Sequence, residues 1–415
     1  MNSNGKAKLA VLFHRLGPYH HARLAAAAIR RDSTEVGKFS LVTVQGCSMD
    51  RTYAWDKVNP SENFPVDTLF DDGDSVDQPK GEVLRRMTDT LNEINPAIVV
   101  VPGWTDSMAL SALVWCGSNQ VPAVCMSEST EWDAKRSSWR EAVKRRIVGL
   151  CSAALVGGRP HKEYMVKLGM PPERIFSGYD AVDNHYFADQ AQESRKQKIE
   201  NRKRYDLPEN YFLASARFVE QKNLPRLLEA YALYRKKSQA GNPLSVAWDL
   251  VLLGDGPLRA ELCRLISDLQ LGRCVHLPGF KQYHELPVYY ALAGAFVHAS
   301  TMEPWGLVVN EAMASGLPVL VSNRCGCAAD LVQEGKNGFT FDPCKPEQLA
   351  ELMLKITALD FPLTHFGNES QRIIAGWGTE RFAAGLNAAA DKAVDVGPPG
   401  ASWIARLLLR ALLLL

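Results

Sequence analysis

Short apolar runs alternate with helical patterns along the whole chain, and they do so in two separate blocks. In the first block Leu9–Phe13, Phe39–Val44, Ile98–Val101, Ala123–Met126 and Ala153–Val156 read as strands, with helical patterns over His21–Arg31, Glu82–Ile94 and Ser107–Gly117. The second block repeats the scheme with Phe212–Ala216, Trp248–Leu253, Val275–Leu277, Ala295–His298, Pro318–Ser322 and Gly338–Phe341. Short strands spaced by helices mean a parallel sheet with crossover helices. Between the blocks, residues 189–210 (DQAQESRKQKIENRKRYDLPEN) are charged and nearly free of apolar side chains, which reads as a linker with a solvated helix. The expected fold is α/β, two Rossmann-like domains facing each other across a central cleft, with the boundary near residue 187. Ligands of such sheets lie outside the carboxyl ends of the strands.

The length of 415 residues suits two domains. A net charge of +1 gives no global argument for nucleic-acid binding. Nine cysteines, and an N-terminus too short in apolar residues for a signal segment, suggest free thiols in a reducing, cytoplasmic compartment. No segment reaches the roughly 18–20 apolar residues of a spanning helix. Trp403–Leu415 (WIARLLLRALLLL) is very apolar but short, so it reads either as a helix docked on the body or a partner, or as a membrane-interface helix.

The stretch STMEPWGLVVNEAMASGLPVLVSN, from Ser300 to Asn323, places a carboxylate inside an apolar helix. Leu307–Ser315 reads as that helix, preceded by a turn at Pro304 and Gly306 and stopped by Gly316 and Pro318. Glu303 falls in the loop at the carboxyl end of a strand, and Glu311 on the helix. The free amides near Gly306 and Leu307 form an anion site. Glu311 lies about 7.5 Å further along the axis, which suits a phosphate at the helix start and a ribose diol beside Glu311. The alternative is that Glu311 pairs with a distant Arg or Lys in the core.

Arg217 and Lys222, in SARFVEQKN, follow another strand. Arg offers a planar fork for phosphate oxygens and Lys a mobile point charge. LLGDGPLRAEL (Leu252–Leu262) lacks the third glycine of a dinucleotide fingerprint and reads as a tight strand-to-helix turn. Cys325 and Cys327 form a lone C-x-C without a second cysteine pair, so no zinc site is expected. Asp72-Gly73-Asp74 is a D-x-D in an acidic segment and reads as a surface loop.

In this order and spacing, SARFVEQKN, LLGDGPLRAEL, LPGF and EPWGLVVNEAMASGLPVLVSN resemble the retaining glycosyltransferases of family four, the glycosyl transferases group 1, which have the GT-B fold. The resemblance is strong over Phe212–Pro343 and weaker over residues 1–187. It implies a first domain at 1–187 that binds acceptor and a second at 188–365 that binds a nucleotide-sugar donor. A helix over 366–392 would cross back to the first domain, followed by the apolar tail at 393–415. It implies that Arg217 and Lys222 hold the donor diphosphate, that Glu303 contacts hydroxyls of the donor sugar, and that Glu311 binds the ribose. Gly279, Phe280 and Lys281 would contact the base, and the helix start at Gly306, Leu307 and Val308 would face sugar and phosphate. The family requires no divalent metal and no resident cofactor. The implied activity is hexosyl transfer from a nucleotide diphosphate sugar, UDP first and GDP next, to an acceptor hydroxyl of a glycan or lipid.

The first domain departs from the family pattern. Of the glycine-rich loop after the first strand, Gly17 alone is a candidate, and His20 or His21 follows it. His20 is read either as catalytic or as an ordinary residue of the next helix. Where relatives place a histidine near Ser127 or Glu128 this chain has none, and Glu128 either orients reactants or caps the next helix. Lys135–Arg146 (KRSSWREAVKRR) carries six basic residues and reads as a solvated helix face or as a contact with anionic lipid, and hence peripheral membrane association. Two other functions fit the same fold, a nucleotide-sugar epimerase and a non-catalytic nucleotide-sugar-binding subunit. A glycosidase would leave Arg217 and Lys222 unexplained, and an NAD-linked oxidoreductase lacks its glycine fingerprint.

Overall fold

The computed structural model describes residues 6–32, 39–48, 55–56, 63–71, 77–241, 247–400 and 403–414. They divide into two units, one of residues 1–181 with 378–415 and the other of residues 182–377.

The first unit holds β1 (Ala7–Phe13), β2 (Phe39–Cys47), β3 (Val66–Phe70), β4 (Ile98–Pro102), β5 (Ala123–Ser127), β6 (Ala153–Val156) and β7 (Ile175–Ser177). They form one parallel sheet in the order β3-β2-β1-β4-β5-β6-β7. Its helices are α1 (Pro18–Asp32), α2 (Lys80–Ile94), α3 (Ser107–Asn119), α4 (Ser138–Val148) and α5 (Arg159–Lys167). Alternate residues of β1 serve two cores. Ala10 and Leu12 pack with α2 and α3, while Leu9, Val11 and Phe13 pack on the other side with α1. A parallel sheet covered on both faces needs apolar residues at every strand position, which is why these strands read as continuous runs.

The second unit begins with α6 (Asn184–Lys196) and α7 (Lys198–Tyr205). The segment read as a linker is therefore two helices. α6 buries Phe187 and Ala191, and Arg195 donates to the carbonyls of Ala291 and Ser315, whereas α7 buries no side chain. The strands are β8 (Tyr211–Ser215), β9 (Asp249–Leu253), β10 (Val275–Gly279), β11 (Ala295–His298), β12 (Val319–Ser322) and β13 (Gly338–Phe341). They form a second parallel sheet in the order β10-β9-β8-β11-β12-β13. Its helices are α8 (Leu224–Gly241), α9 (Arg259–Asp268), α10 (Leu286–Leu292), α11 (Leu307–Ala314), α12 (Ala328–Leu331), α13 (Pro346–Ile356) and α14 (Leu363–Ile374).

The chain then completes the first unit with α15 (Thr379–Val396) and α16 (Trp403–Leu414). Phe382, Leu386 and Ala390 of α15 join the α1 side of the first sheet. α16 packs one of its faces on the first unit. Leu409 and Leu413 are buried in the core that also holds residues of α2 and α3, and Lys80 Nζ donates to the Leu412 carbonyl. Among the described residues no helix is long and apolar enough to cross a membrane.

Candidate functional site

The second sheet changes direction between β8 and β11. The connection from β8 leads to β9 on one side, and that from β11 leads to β12 on the other. The loops leaving two adjacent strands in opposite directions open a crevice at their carboxyl ends. Lys222 comes from the loop after β8 and Glu303 from the loop after β11, and their side chains form an ion pair there. Backbone contacts hold the two loops together, with Thr301 N–H donating to Gln221 O at 2.9 Å. The β8 loop is fixed in turn by Phe218, fully buried, whose N–H donates to Asp255 O at 2.8 Å. Gly254 has a φ of +125°, and a Cβ there would stand 1.8 Å from the Ala216 carbonyl oxygen. The turn expected in LLGDGPLRAEL is thus a close backbone approach that braces the loop carrying Arg217 and Lys222.

Glu303 has further partners. His298, the last residue of β11, places Nε2 2.9 Å from Glu303 Oε2, and Ser300 Oγ donates to the same oxygen at 3.1 Å. Burial by itself pushes the Glu303 carboxyl up. The hydrogen bond from His298 and the charge of Lys222 outweigh it and hold the group well below the usual carboxylate range. The site therefore presents a fixed anion beside a cation.

α11 starts immediately after this loop. Gly306 adopts φ 102° and ψ 62°, a left-handed conformation that turns the chain into the helix. Trp305, fully buried, anchors the turn through Nε1 to Asn310 Oδ1 at 2.9 Å. Val309 N–H donates to Gly306 O at 2.9 Å. The amides of Leu307 and Val308 precede it, where a helix has no internal acceptors to offer, so this end attracts anions. The helix found, Leu307–Ala314, matches the one expected from the sequence within one residue.

Glu311 is completely buried on α11, and Tyr290 Oη of α10 donates to its Oε2 at 2.6 Å. Burial, and then the Glu311 charge, push the Tyr290 phenol well above its ordinary range, so it stays protonated and remains a donor. Tyr283 is raised by the same two causes in the same order. A phenol is thus one partner of this carboxylate.

Gly279 ends β10 with φ +86°, and its carbonyl accepts from Gly254 N–H at 3.0 Å. Phe280 follows, 37% exposed, and Lys281 stands 3.9 Å from Glu285 and over the Tyr289 ring. Arg217 is exposed in the loop after β8. All the second-unit candidates therefore sit at or beyond the carboxyl ends of β8, β10 and β11. The structure adds three side chains that sequence reasoning missed. His298 and Ser300 flank the end of a strand, where the rule on strand ends could have found them. Tyr290 lies 21 positions upstream of Glu311, and no local pattern links the two.

The first sheet reverses between β1 and β4. There His14, after β1, lies 3.2 Å from Asp106, after β4. Gly17 N–H donates to His20 Nδ1 at 3.2 Å, inside the first turn of α1, and the His20 ring packs against Phe13. Burial, followed by the charges of Arg23, His14 and Arg15, lowers His20 to about 3. His20 is therefore neutral near pH 7, with one ring nitrogen already engaged. Glu128 directly follows β5, and the residue before α4 is Ser137, so Glu128 does not cap that helix. Of the basic residues on and before α4, Arg136 and Lys144 are drawn into contacts with Glu141 and Tyr164. Lys135, Arg140, Arg145 and Arg146 are exposed, as is Trp139 at 66%. The D-x-D at Asp72-Gly73-Asp74 lies outside the described residues.

Residues 195–372 match the family model described as glycosyl transferases group 1. Alpha-monoglucosyldiacylglycerol synthase of Acholeplasma laidlawii is 32% identical over 142 residues, 34% of this chain and 33% of that protein. The sulfoquinovosyl transferase SQD2 of Arabidopsis thaliana is 42% identical over 97 residues, 23% of this chain and 18% of its own length. The chain thus spans a third or less of these two relatives. The Anabaena HepE structure in complex with UDP and glucose superposes with a TM-score of 0.67 at 17% identity, covering 92% of this chain and 98% of HepE. That likeness shows the fold, which is GT-B.

Proposed function

We propose that this chain, whose residues 195–372 form a domain of the glycosyl transferases group 1, moves a hexose from a nucleotide diphosphate sugar to an acceptor hydroxyl with retention of anomeric configuration. One observation carries the reading. The Lys222–Glu303 pair lies at the reversal of the second sheet, directly before the N-terminus of α11, with Glu311 further along the same helix. A departing diphosphate needs positive charge, and Lys222, Arg217 and the first amides of α11 supply it as preorganised electrostatics. With that charge coming from side chains and a helix end, no divalent metal and no resident cofactor are required. Glu303 accepts from hydroxyls of the donor sugar. Glu311 accepts from the ribose diol, which gives a buried carboxylate a second set of donors. Backbone at Gly279, Phe280 and Lys281 meets the base.

UDP is the favoured carrier, supported by the UDP held by the similarly folded HepE. The first unit takes the acceptor, a glycan or lipid hydroxyl, with Gly17, His20 and Glu128 as its candidate contacts. The name of the Acholeplasma relative supports a lipid acceptor. The exposed Trp139 and the cations around it on and before α4 suit an anionic bilayer surface, so the protein is read as cytoplasmic and peripheral. None of the nine cysteines is in a disulfide, which suits a reducing compartment.

The test is turnover of UDP-glucose with candidate glycan and diacylglycerol acceptors, reading the anomeric proton of the product by NMR. An α-linked product supports the reading. A β-linked product contradicts retention, and an epimerised nucleotide sugar formed without acceptor contradicts transfer.

A further inference from the structure

We infer that His298 is a positioning residue for Glu303 and fixes which oxygen of that carboxylate meets the donor sugar. The inference rests on the role proposed for Glu303.

Three donors converge on one oxygen. Lys222 Nζ, His298 Nε2 at 2.9 Å and Ser300 Oγ at 3.1 Å all reach Oε2. Among the described residues no hydrogen bond is made to Oε1. The Glu303 side chain retains 11% exposure, and Oε1 keeps its acceptor capacity for a substrate hydroxyl.

The three donors differ in how firmly they hold. Lys222 carries its charge on a flexible four-carbon stem, and a bound diphosphate competes for it. His298 is held by the fold. It closes β11, is 3% exposed, and its ring lies nearly parallel to that of Phe296, 13° apart at 6.2 Å between centroids. Ser300 Oγ stands 3.2 Å from the same ring nitrogen, so these two donors lie side by side. Gly306 turns the chain beside this cluster at a φ of +102°, and a Cβ there would make only ordinary contacts, 3.4 Å from Glu303 Cγ and 3.7 Å from His298 Nε2. When Lys222 turns towards phosphate, His298 and Ser300 keep the carboxylate from rotating. Donation to Oε2 fixes the His298 tautomer with its proton on Nε2.

The test compares wild type, His298→Phe and His298→Gln. UDP affinity is measured by calorimetry, and kcat and KM from UDP release out of UDP-glucose. Misplacing a reacting group by about 1 Å costs about a hundredfold, so His298→Phe lowers kcat by about that factor. Its UDP affinity and KM stay within about twofold of wild type, because diphosphate and ribose are held by other groups. His298→Gln restores a donor and recovers about tenfold or more. A His298→Phe enzyme with wild-type kcat overturns the inference. So do kcat and UDP affinity falling together with no recovery in His298→Gln, which is the signature of a merely structural residue. If His298→Phe does not fold, Ser300→Ala reads the same split between kcat and UDP affinity, and an unchanged kcat overturns the clamp. Wild type that neither binds UDP nor releases it from UDP-glucose overturns the functional reading itself. Wild-type turnover matched by His298→Phe overturns the clamp alone.

Discussion

Tyr290 donates a 2.6 Å hydrogen bond to Glu311, joining α10 to the only glutamate of α11 inside a fully buried setting. A buried carboxylate that loses a donor is left with more of its desolvation cost, about 1–3 kcal/mol. Tyr290→Phe is therefore expected to lower stability by about that amount in urea unfolding. It is also expected to weaken UDP binding, since the carboxylate is no longer aimed. A Tyr290→Phe protein with unchanged unfolding midpoint and unchanged UDP affinity would remove the pair from the account.

The pH behaviour of Glu303 follows from its depressed titration. The folded carboxyl lies below its ordinary value of 4.5. Its stabilisation is complete above that value and is lost only as pH falls through the lower, folded one. From about pH 5 to 8 the group stays ionised, so Glu303→Gln should lower kcat by a constant factor across that window. Parallel pH–kcat profiles for the two proteins are the expected result. A factor that shrinks steadily towards acid would show that Glu303 titrates in the working range.

The apolar tail contributes to the first unit. Leu409 and Leu413 are 3% and 7% exposed within its core. Leu→Ala at a buried site costs about 2–5 kcal/mol, so either substitution should lower the thermal midpoint of the unit that α16 packs on. Leu407, 56% exposed on the same helix, serves as the control, and Leu407→Ala should leave the midpoint nearly unchanged. Equal effects at all three positions would contradict the docked geometry.

The exposed face of α4 is expected to bind anionic vesicles. Flotation with phosphatidylglycerol liposomes should retain the protein and phosphatidylcholine liposomes should not. Binding should fall with salt and in the Trp139→Ala, Arg140→Glu double variant. Retention by both liposomes, indifferent to salt, would sink the electrostatic part of the reading.

The sequence showed the second sheet almost completely, because all six strands are apolar runs bounded by helical patterns. It missed β3 and β7, the two edges of the first sheet. Asp67 and Thr68 interrupt one, and the other is only Ile175–Ser177, too short for any periodicity. The charged stretch after Phe187 concealed the packed face of α6, since Ala191 is small and the buried Phe187 precedes the charges. At the candidate site, Glu303, Gly306 and Glu311 were legible because a helix start and a misplaced carboxylate are local signals. His298 and Tyr290 were not, because their relation to the two carboxylates exists only after the chain has folded. The choice for the tail was open in sequence for the same reason. An apolar stripe shows that something will cover it, and only the fold shows what.

The central claim is a donor site assembled from Lys222, the start of α11 and Glu311. Calorimetric titration of UDP into wild type and Glu311→Ala, both in excess EDTA, tests it most directly. Saturable binding by wild type without metal, weakened about tenfold or more in Glu311→Ala, is the predicted result. Wild type that takes up no UDP, or a Glu311→Ala protein that binds it as tightly as wild type, would contradict the account.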